Sequence, residues 1–202
     1  PIGHNGFKFG YKGGVFSKPE AEEIISILRR MISSPDVVEK AKELISSCPQ
    51  EKRNECLVNL EKEKYSALEF YRSFVLKTAD LPSDFKTDVG IVADFNGSAR
   101  AASIDRTLFK EMGIKFSAIN DVVGDVKHAI VPEGENLIPV MQYLEKMHSE
   151  DPSYTLGYTP DNDGDRGNFV YITREGKGRI LEAQEVFALV VTIEVASLAK
   201  KG

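Results

Sequence analysis

Beyond the turn-rich break Ala79-Asp80-Leu81-Pro82-Ser83-Asp84, short apolar runs of strand length alternate with longer runs of helical period. Val89-Gly90-Ile91-Val92-Ala93-Asp94 reads as a buried strand and residues 101–112 as a helix. Residues 115–119 follow as a second strand, 137–147 as a second helix, and 154–158 and 168–173 as further strands. This alternation predicts an α/β domain, a mainly parallel sheet covered by helices. A mostly apolar helix over 183–198 ends in Lys200-Lys201-Gly202.

The segment before the break has a different rhythm. Its glycine-rich start, Phe7-Lys8-Phe9-Gly10-Tyr11-Lys12-Gly13-Gly14, reads as a short strand closed by a glycine turn. Ser17-Lys18-Pro19-Glu20 marks a helix start, with Ser17 as cap and Pro19 in the first turn, and Ile24, Ile27, Leu28, Met31 and Ile32 follow at helical spacing. From Pro35 to about Lys77 the chain is highly charged with apolar residues on a helical period, which predicts helices exposed on one side. The change of pattern places a domain boundary close to the break at 79–84.

Charge narrows the function classes. With 26 Lys+Arg against 31 Asp+Glu the net charge is −5, so no general cationic field exists to condense onto nucleic acid or acidic lipid. The longest apolar stretch, 186–191, is interrupted by Thr192 and Glu194, well short of the roughly 20 residues that a membrane span needs. The expected partners therefore include neither nucleic acid nor membrane. The opening Pro-Ile-Gly-His-Asn-Gly carries no legible export signal, which makes the cytoplasm the expected compartment. Cys48 and Cys56 lie eight residues apart. On one helix that is about 12 Å between Cα atoms, beyond the about 7 Å reach of a disulfide, so two free thiols are expected.

The densest chemical signal is Thr159-Pro160-Asp161-Asn162-Asp163-Gly164-Asp165-Arg166-Gly167, set between two predicted strands. Carboxylates at i, i+2 and i+4 in a tight loop can turn toward one point, where only a cation relieves their repulsion. A hard divalent ion is the natural occupant, although an Asp/Asn/Gly hairpin turn with solvated acids would read the same way. An EF-hand is excluded, because its sixth and twelfth positions, glycine and glutamate, are here Arg166 and Ile172. An arginine beside the acids suits a site where metal and guanidinium both face a phosphoryl group. Hydrolases with an aspartate nucleophile also use Asp-x-Asp loops, but place them directly after the first strand of a sheet.

Asp161-Asn162-Asp163-Gly164-Asp165-Arg166 resembles the metal loop Asp-x-Asp-Gly-Asp-Arg of the α-D-phosphohexomutases, the phosphomannomutase and phosphoglucomutase family. Pro1 to Phe9 is similar to the segment that follows that family's phosphoserine, where Ser-His-Asn-Pro leads into Asn-Gly-x-Lys. Asp94-Phe95-Asn96-Gly97-Ser98-Ala99 resembles its strand-end Asp-x-x-x-Gly turn, and 128–137 its His-x-Pro…Pro-Glu-Asn-Leu segment. The resemblance implies a Mg²⁺-dependent enzyme that interconverts hexose 1-phosphate and hexose 6-phosphate, of glucose or mannose, through an enzyme phosphoserine. By position, Asp161, Asp163 and Asp165 would be the Mg²⁺ ligands and Arg166 would contact phosphoryl oxygen. Lys8 would act as general acid or base, which requires a lowered pKa. His4 falls where the family tolerates various residues and reads as a packing or surface histidine, His128 lies in a segment that reads as structural, and His148 reads as a solvated helix-end residue.

The departures shape the expectation as much as the matches. The phosphoserine would lie before Pro1, and the family's Gly-Glu-x-Ser-Gly-His and Arg-x-Ser-Asn-Thr-x-Pro loops do not occur. The resemblance thus implies a portion of such an enzyme, comprising the end of its first domain (1–80), its second domain (86–180) and the first helix of its third (182–202). That portion is expected to be inactive alone. The competing expectation is a non-catalytic metal- or phosphate-binding module that kept the fold.

Overall fold

The computed structural model describes residues 9–81 and 85–201, so Lys8 and the motif residues before it lie outside the described residues. The chain divides into two compact units, Pro1–Glu63 and Lys64–Gly202.

In the first unit, β1 (Gly10–Tyr11) and β2 (Gly14–Val15) form an antiparallel hairpin. Its two turn residues, Lys12 and Gly13, have φ of 49° and 81°, as a tight turn matching strand twist requires. Helix α1 (Lys18–Ile32) starts where Ser17 predicts it, the Ser17 N–H and hydroxyl both donating to the Glu20 carboxylate at 2.8 and 2.6 Å. Helix α2 (Val37–Ser47) ends before Pro49, and α3 (Gln50–Ala79), whose residues from Lys64 onward belong to the second unit, begins after it, because proline cannot continue a helix through its own ring. Cys48 and Cys56 are free and exposed.

The second unit holds the sheet. Its strands are β3 (Gly90–Asp94), β4 (Lys115–Ile119), β5 (Tyr154–Pro160), β6 (Gly167–Ile172) and β7 (Gly178–Ile180), in the spatial order β4-β3-β5-β6-β7. β3 pairs in parallel with both β4 and β5, while β5–β6 and β6–β7 are antiparallel hairpins, so the α/β sheet is parallel on one side and antiparallel on the other. β7, three residues with glycine in first place, carries too little apolar pattern to be read from sequence.

Helices cover both faces. α5 (Ile138–Glu150) lays Val140 and Leu144 on Val92, Tyr154 and Val170, a cluster in which Leu137 is also fully buried. On the opposite face α4 (Asp105–Glu111) brings Phe109 to ring distances of 5.0 Å from Phe116 and 6.4 Å from Tyr158, with Phe95 behind them. The predicted helix over 101–112 is shorter than expected. Residues 99–102 form one 3₁₀ turn and Ser103 is extended, which breaks the run before Asp105. α6 (Ala183–Lys201) follows β7, and among the described residues no helix is long and apolar enough to cross a membrane.

Two consequences are measurable. A Cβ on Gly157 would sit 2.8 Å from methyls of both Val170 and Val92. Overpacking there costs about 1–3 kcal/mol, more than the about 0.4–1 kcal/mol regained from a stiffer unfolded chain. Gly157→Ala therefore lowers the urea midpoint with an unchanged m value. At the sheet edge, Lys115 Nζ donates to Asp151 at 2.6 Å, and this bond with the Ser153 N–H holds the Asp151 carboxyl down at about 2. A depressed carboxylate stabilises the fold above its ordinary value of 3.8 and loses that contribution as pH falls toward about 2. Asp151→Asn is expected to flatten this acid limb in urea midpoints taken across that window.

Candidate metal centre

The acidic loop spans the turn between the antiparallel strands β5 and β6, and its ends are pinned by the Pro160–Gly167 pair of the ladder. The Asp161 N–H donates to the Arg166 carbonyl at 3.0 Å and closes the base of the loop. The Asp161 carboxylate then organises the interior. Its Oδ1 accepts from the N–H groups of Gly164 (3.0 Å) and Arg166 (3.2 Å), and its Oδ2 from Arg166 Nε (2.8 Å). Gly164 takes φ +77°, which only glycine adopts without strain, and so lets the chain curl back over Asp161.

This curl gathers the three predicted ligands. Carboxylate oxygens of Asp161, Asp163 and Asp165 all lie within 4.8 Å of one another, the first buried and the other two exposed. Opposite oxygens around an octahedral Mg²⁺ stand about 4.2 Å apart, twice the metal–oxygen distance. Three all-oxygen donors have the chemistry that a hard divalent cation takes, and the two exposed side chains would have to swing inward to reach it. Burial pushes the Asp161 carboxyl up, but the backbone and guanidinium hydrogen bonds from Arg166 outweigh it and hold the group below the usual carboxylate range. Arg166 is raised in turn, first by its bond to Asp161, and two-thirds of its side chain stays exposed.

Sheet topology explains why the loop stands where it does. The crossover from β3 to β4 runs through α4 on one face, and that from β4 to β5 through α5 on the other. The carboxyl ends of β3 and β5 therefore flank the point where the winding reverses, the usual crevice for ligands in such sheets. The loop after β3 meets the acidic loop directly, the Ala99 N–H donating to the Asn162 carbonyl at 3.1 Å. Two clefts flank the acidic loop. One, of about 240 Å³, is lined by Tyr71, Ala99, Arg100, Ser103, Asp163 and Gly164. The other, of about 400 Å³, lies between Asp165–Asn168, Pro132, Glu133 and the Ala183, Val186, Phe187 and Val190 side of α6.

A polar network below the loop was not legible in the sequence. Asp94, fully buried at the end of β3, accepts at Oδ1 from the Asn96 N–H and Asn120 Nδ2, both at 2.9 Å, and its Oδ2 meets His128 Nε2 at 3.1 Å. Asn96 stitches the same segment, its Oδ1 accepting from the N–H groups of Lys127 (2.8 Å) and His128 (3.0 Å). Gly97 has no room for a side chain, since a Cβ would fall 2.6 Å from the Asp125 backbone. His128 is thus part of this framework. His148 departs from the solvated position read for it. It is half-buried, and its Nδ1 sits 2.8 Å from the Tyr154 carbonyl. Lys8 lies outside the described residues.

No family model matches this sequence, and no curated protein matches it. Among solved structures, a phosphoglucomutase/phosphomannomutase family protein from Burkholderia thailandensis is similar over 56% of this chain at 21% identity, with a TM-score of 0.44. The chain spans 22% of the length of that protein.

Removing Asn96 tests the framework. Asn96→Ala leaves the Lys127 and His128 N–H groups unpaired, a loss of about 1–3 kcal/mol. Amide exchange at those two positions is expected to accelerate well beyond any change in β3.

Proposed function

We propose that this chain is the metal-loop portion of a Mg²⁺-dependent phosphohexomutase, which moves a phosphoryl group between the 1 and 6 positions of a hexose phosphate through an enzyme phosphoserine. One observation carries the reading. The carboxylates of Asp161, Asp163 and Asp165 converge within 4.8 Å at the carboxyl end of the sheet, beside an exposed guanidinium. The match of the loop to the family's metal-loop motif, and the resemblance of three further segments in order along the chain, support it.

On this reading Asp161, Asp163 and Asp165 hold the ion. Bound there, Mg²⁺ supplies positive charge that stabilises phosphoryl oxygens. Arg166 commits Nε to Asp161 and presents the rest of its fork outward, where it would orient a phosphoryl group. Asp161 keeps this guanidinium aimed, and its depressed pKa keeps the carboxylate ionised at neutral pH. Lys8 is the proposed general acid or base toward the sugar hydroxyl. The substrate would be a glucose or mannose phosphate, bound by the complete protein.

A second reading, a binding module without mutase chemistry, is favoured by one feature: the Arg166 guanidinium already pairs with Asp161 and offsets its charge. Two measurements separate the readings. Calorimetric titration of this chain with Mg²⁺ is expected to show weak binding that Asp163→Ala abolishes, and unchanged affinity in the variant would remove the ligand assignment. In the complete protein, the same substitution is expected to lower conversion of hexose 1-phosphate to 6-phosphate by at least about tenfold. A complete protein that binds Mg²⁺ yet converts neither sugar phosphate would establish the binding module instead.

A further inference from the structure

One arginine near the loop has no place in the reading above. Arg100 follows β3 within the 3₁₀ turn, with only a quarter of its side chain exposed. Its fork is committed inward. Nε and Nη2 donate to the two oxygens of Asp105 at 2.7 and 3.0 Å, and Nη1 donates to the Tyr71 hydroxyl at 3.1 Å. Asp105 is itself buried at 2% exposure and accepts a third bond, from the Tyr158 hydroxyl on β5, at 2.8 Å. The guanidinium is thereby anchored to the sheet, with three of its five N–H donors engaged.

The aliphatic stem of the same residue faces the acidic loop. A Cβ on Gly164 would lie 3.4 Å from Arg100 Cδ and 3.7 Å from its Cβ, so the stem stands beside the Gly164 turn, within van der Waals reach of any side chain placed there. Next to it the Ala99 N–H holds the Asn162 carbonyl at 3.1 Å. Arg100 and Asp163 share the lining of the smaller cleft. Asp163 and Asp165 flank Gly164, so the height and tilt of that turn set where their carboxylates stand relative to Asp161.

We propose that Arg100 is a positioning residue for the acidic loop: anchored through Asp105, Tyr158 and Tyr71, its stem fixes the Gly164 turn and so sets the spacing of the three carboxylates and their affinity for a divalent cation. This rests on the metal-loop reading. It adds that the site is tuned by a residue outside the three carboxylates and Arg166.

The test compares wild type, Arg100→Ala, Arg100→Lys and Tyr158→Phe by Mg²⁺ calorimetry, amide exchange over 161–167, and thermal melting. Arg100→Ala is expected to weaken Mg²⁺ binding by about tenfold or more and to speed exchange of the Gly164 and Arg166 amides. Arg100→Lys keeps an aliphatic stem but not the two-pronged bond to Asp105, so it restores part of the affinity. Tyr158→Phe loosens the anchor and shifts affinity in the same direction by less, while the fold stays intact. If Arg100→Ala binds Mg²⁺ like wild type, or if Arg100→Lys and Tyr158→Phe change the melt but neither Mg²⁺ affinity nor loop exchange, the proposal is overturned. If wild type itself binds no Mg²⁺ while loop exchange still accelerates in Arg100→Ala, the metal reading fails and the positioning of the loop by Arg100 stands.

Discussion

Parallel pairing of β3 with both its neighbours is the constraint on which the second unit depends. A parallel neighbour cannot be reached by a tight turn, so each step needs a crossover, and the two crossovers here take opposite faces. The core is consequently two-sided, aliphatic under α5 and aromatic under α4. The carboxyl ends of β3 and β5 are brought together with both helices folded away from them. The acidic loop occupies the space that this winding leaves open.

Such a crevice is lined by loops, and loops carry polar backbone that must be satisfied. The protein solves this with buried carboxylates. Asp94, Asp105 and Asp161 are each at most 3% exposed, and each sits at a junction where a strand or turn gives way to another element. Every one accepts three bonds or close polar contacts, from Asn96, Asn120 and His128, from Arg100 and Tyr158, or from Gly164 and Arg166. A buried charge with all its partners is tolerable, whereas removing the charged partner of a buried ion pair costs about 3–5 kcal/mol. That asymmetry makes the three junctions stiff.

The extent to which this was readable from sequence follows the range of the interactions. The strand 115–119 and the helix start at Ser17 were legible because periodicity and capping are local. The acidic loop was legible for the same reason, since a spacing of i, i+2 and i+4 is self-contained. β7 was hidden because Gly178-Arg179-Ile180 earns its place through contacts elsewhere, the Gly178 N–H donating to Glu145 on α5 at 2.7 Å. The shortened α4 and the bond from Tyr158 to Asp105, 53 residues apart in sequence, were hidden likewise. No local pattern marks Arg100 as different from any other helix-start arginine.

The two arginines beside the loop show how exposure decides a role. Arg166 keeps two-thirds of its side chain in solvent and spends Nε on Asp161, so most of its donor capacity faces outward. Arg100 is a quarter exposed and spends Nε and both terminal nitrogens on Asp105 and Tyr71. Environment separates their roles: a guanidinium mostly in solvent can meet an incoming anion, whereas one clamped on a buried carboxylate is held still and offers its stem as a fixed surface. The acidic loop lies between them, its charge opposed from the side that faces ligand and its shape set from the side that faces the sheet.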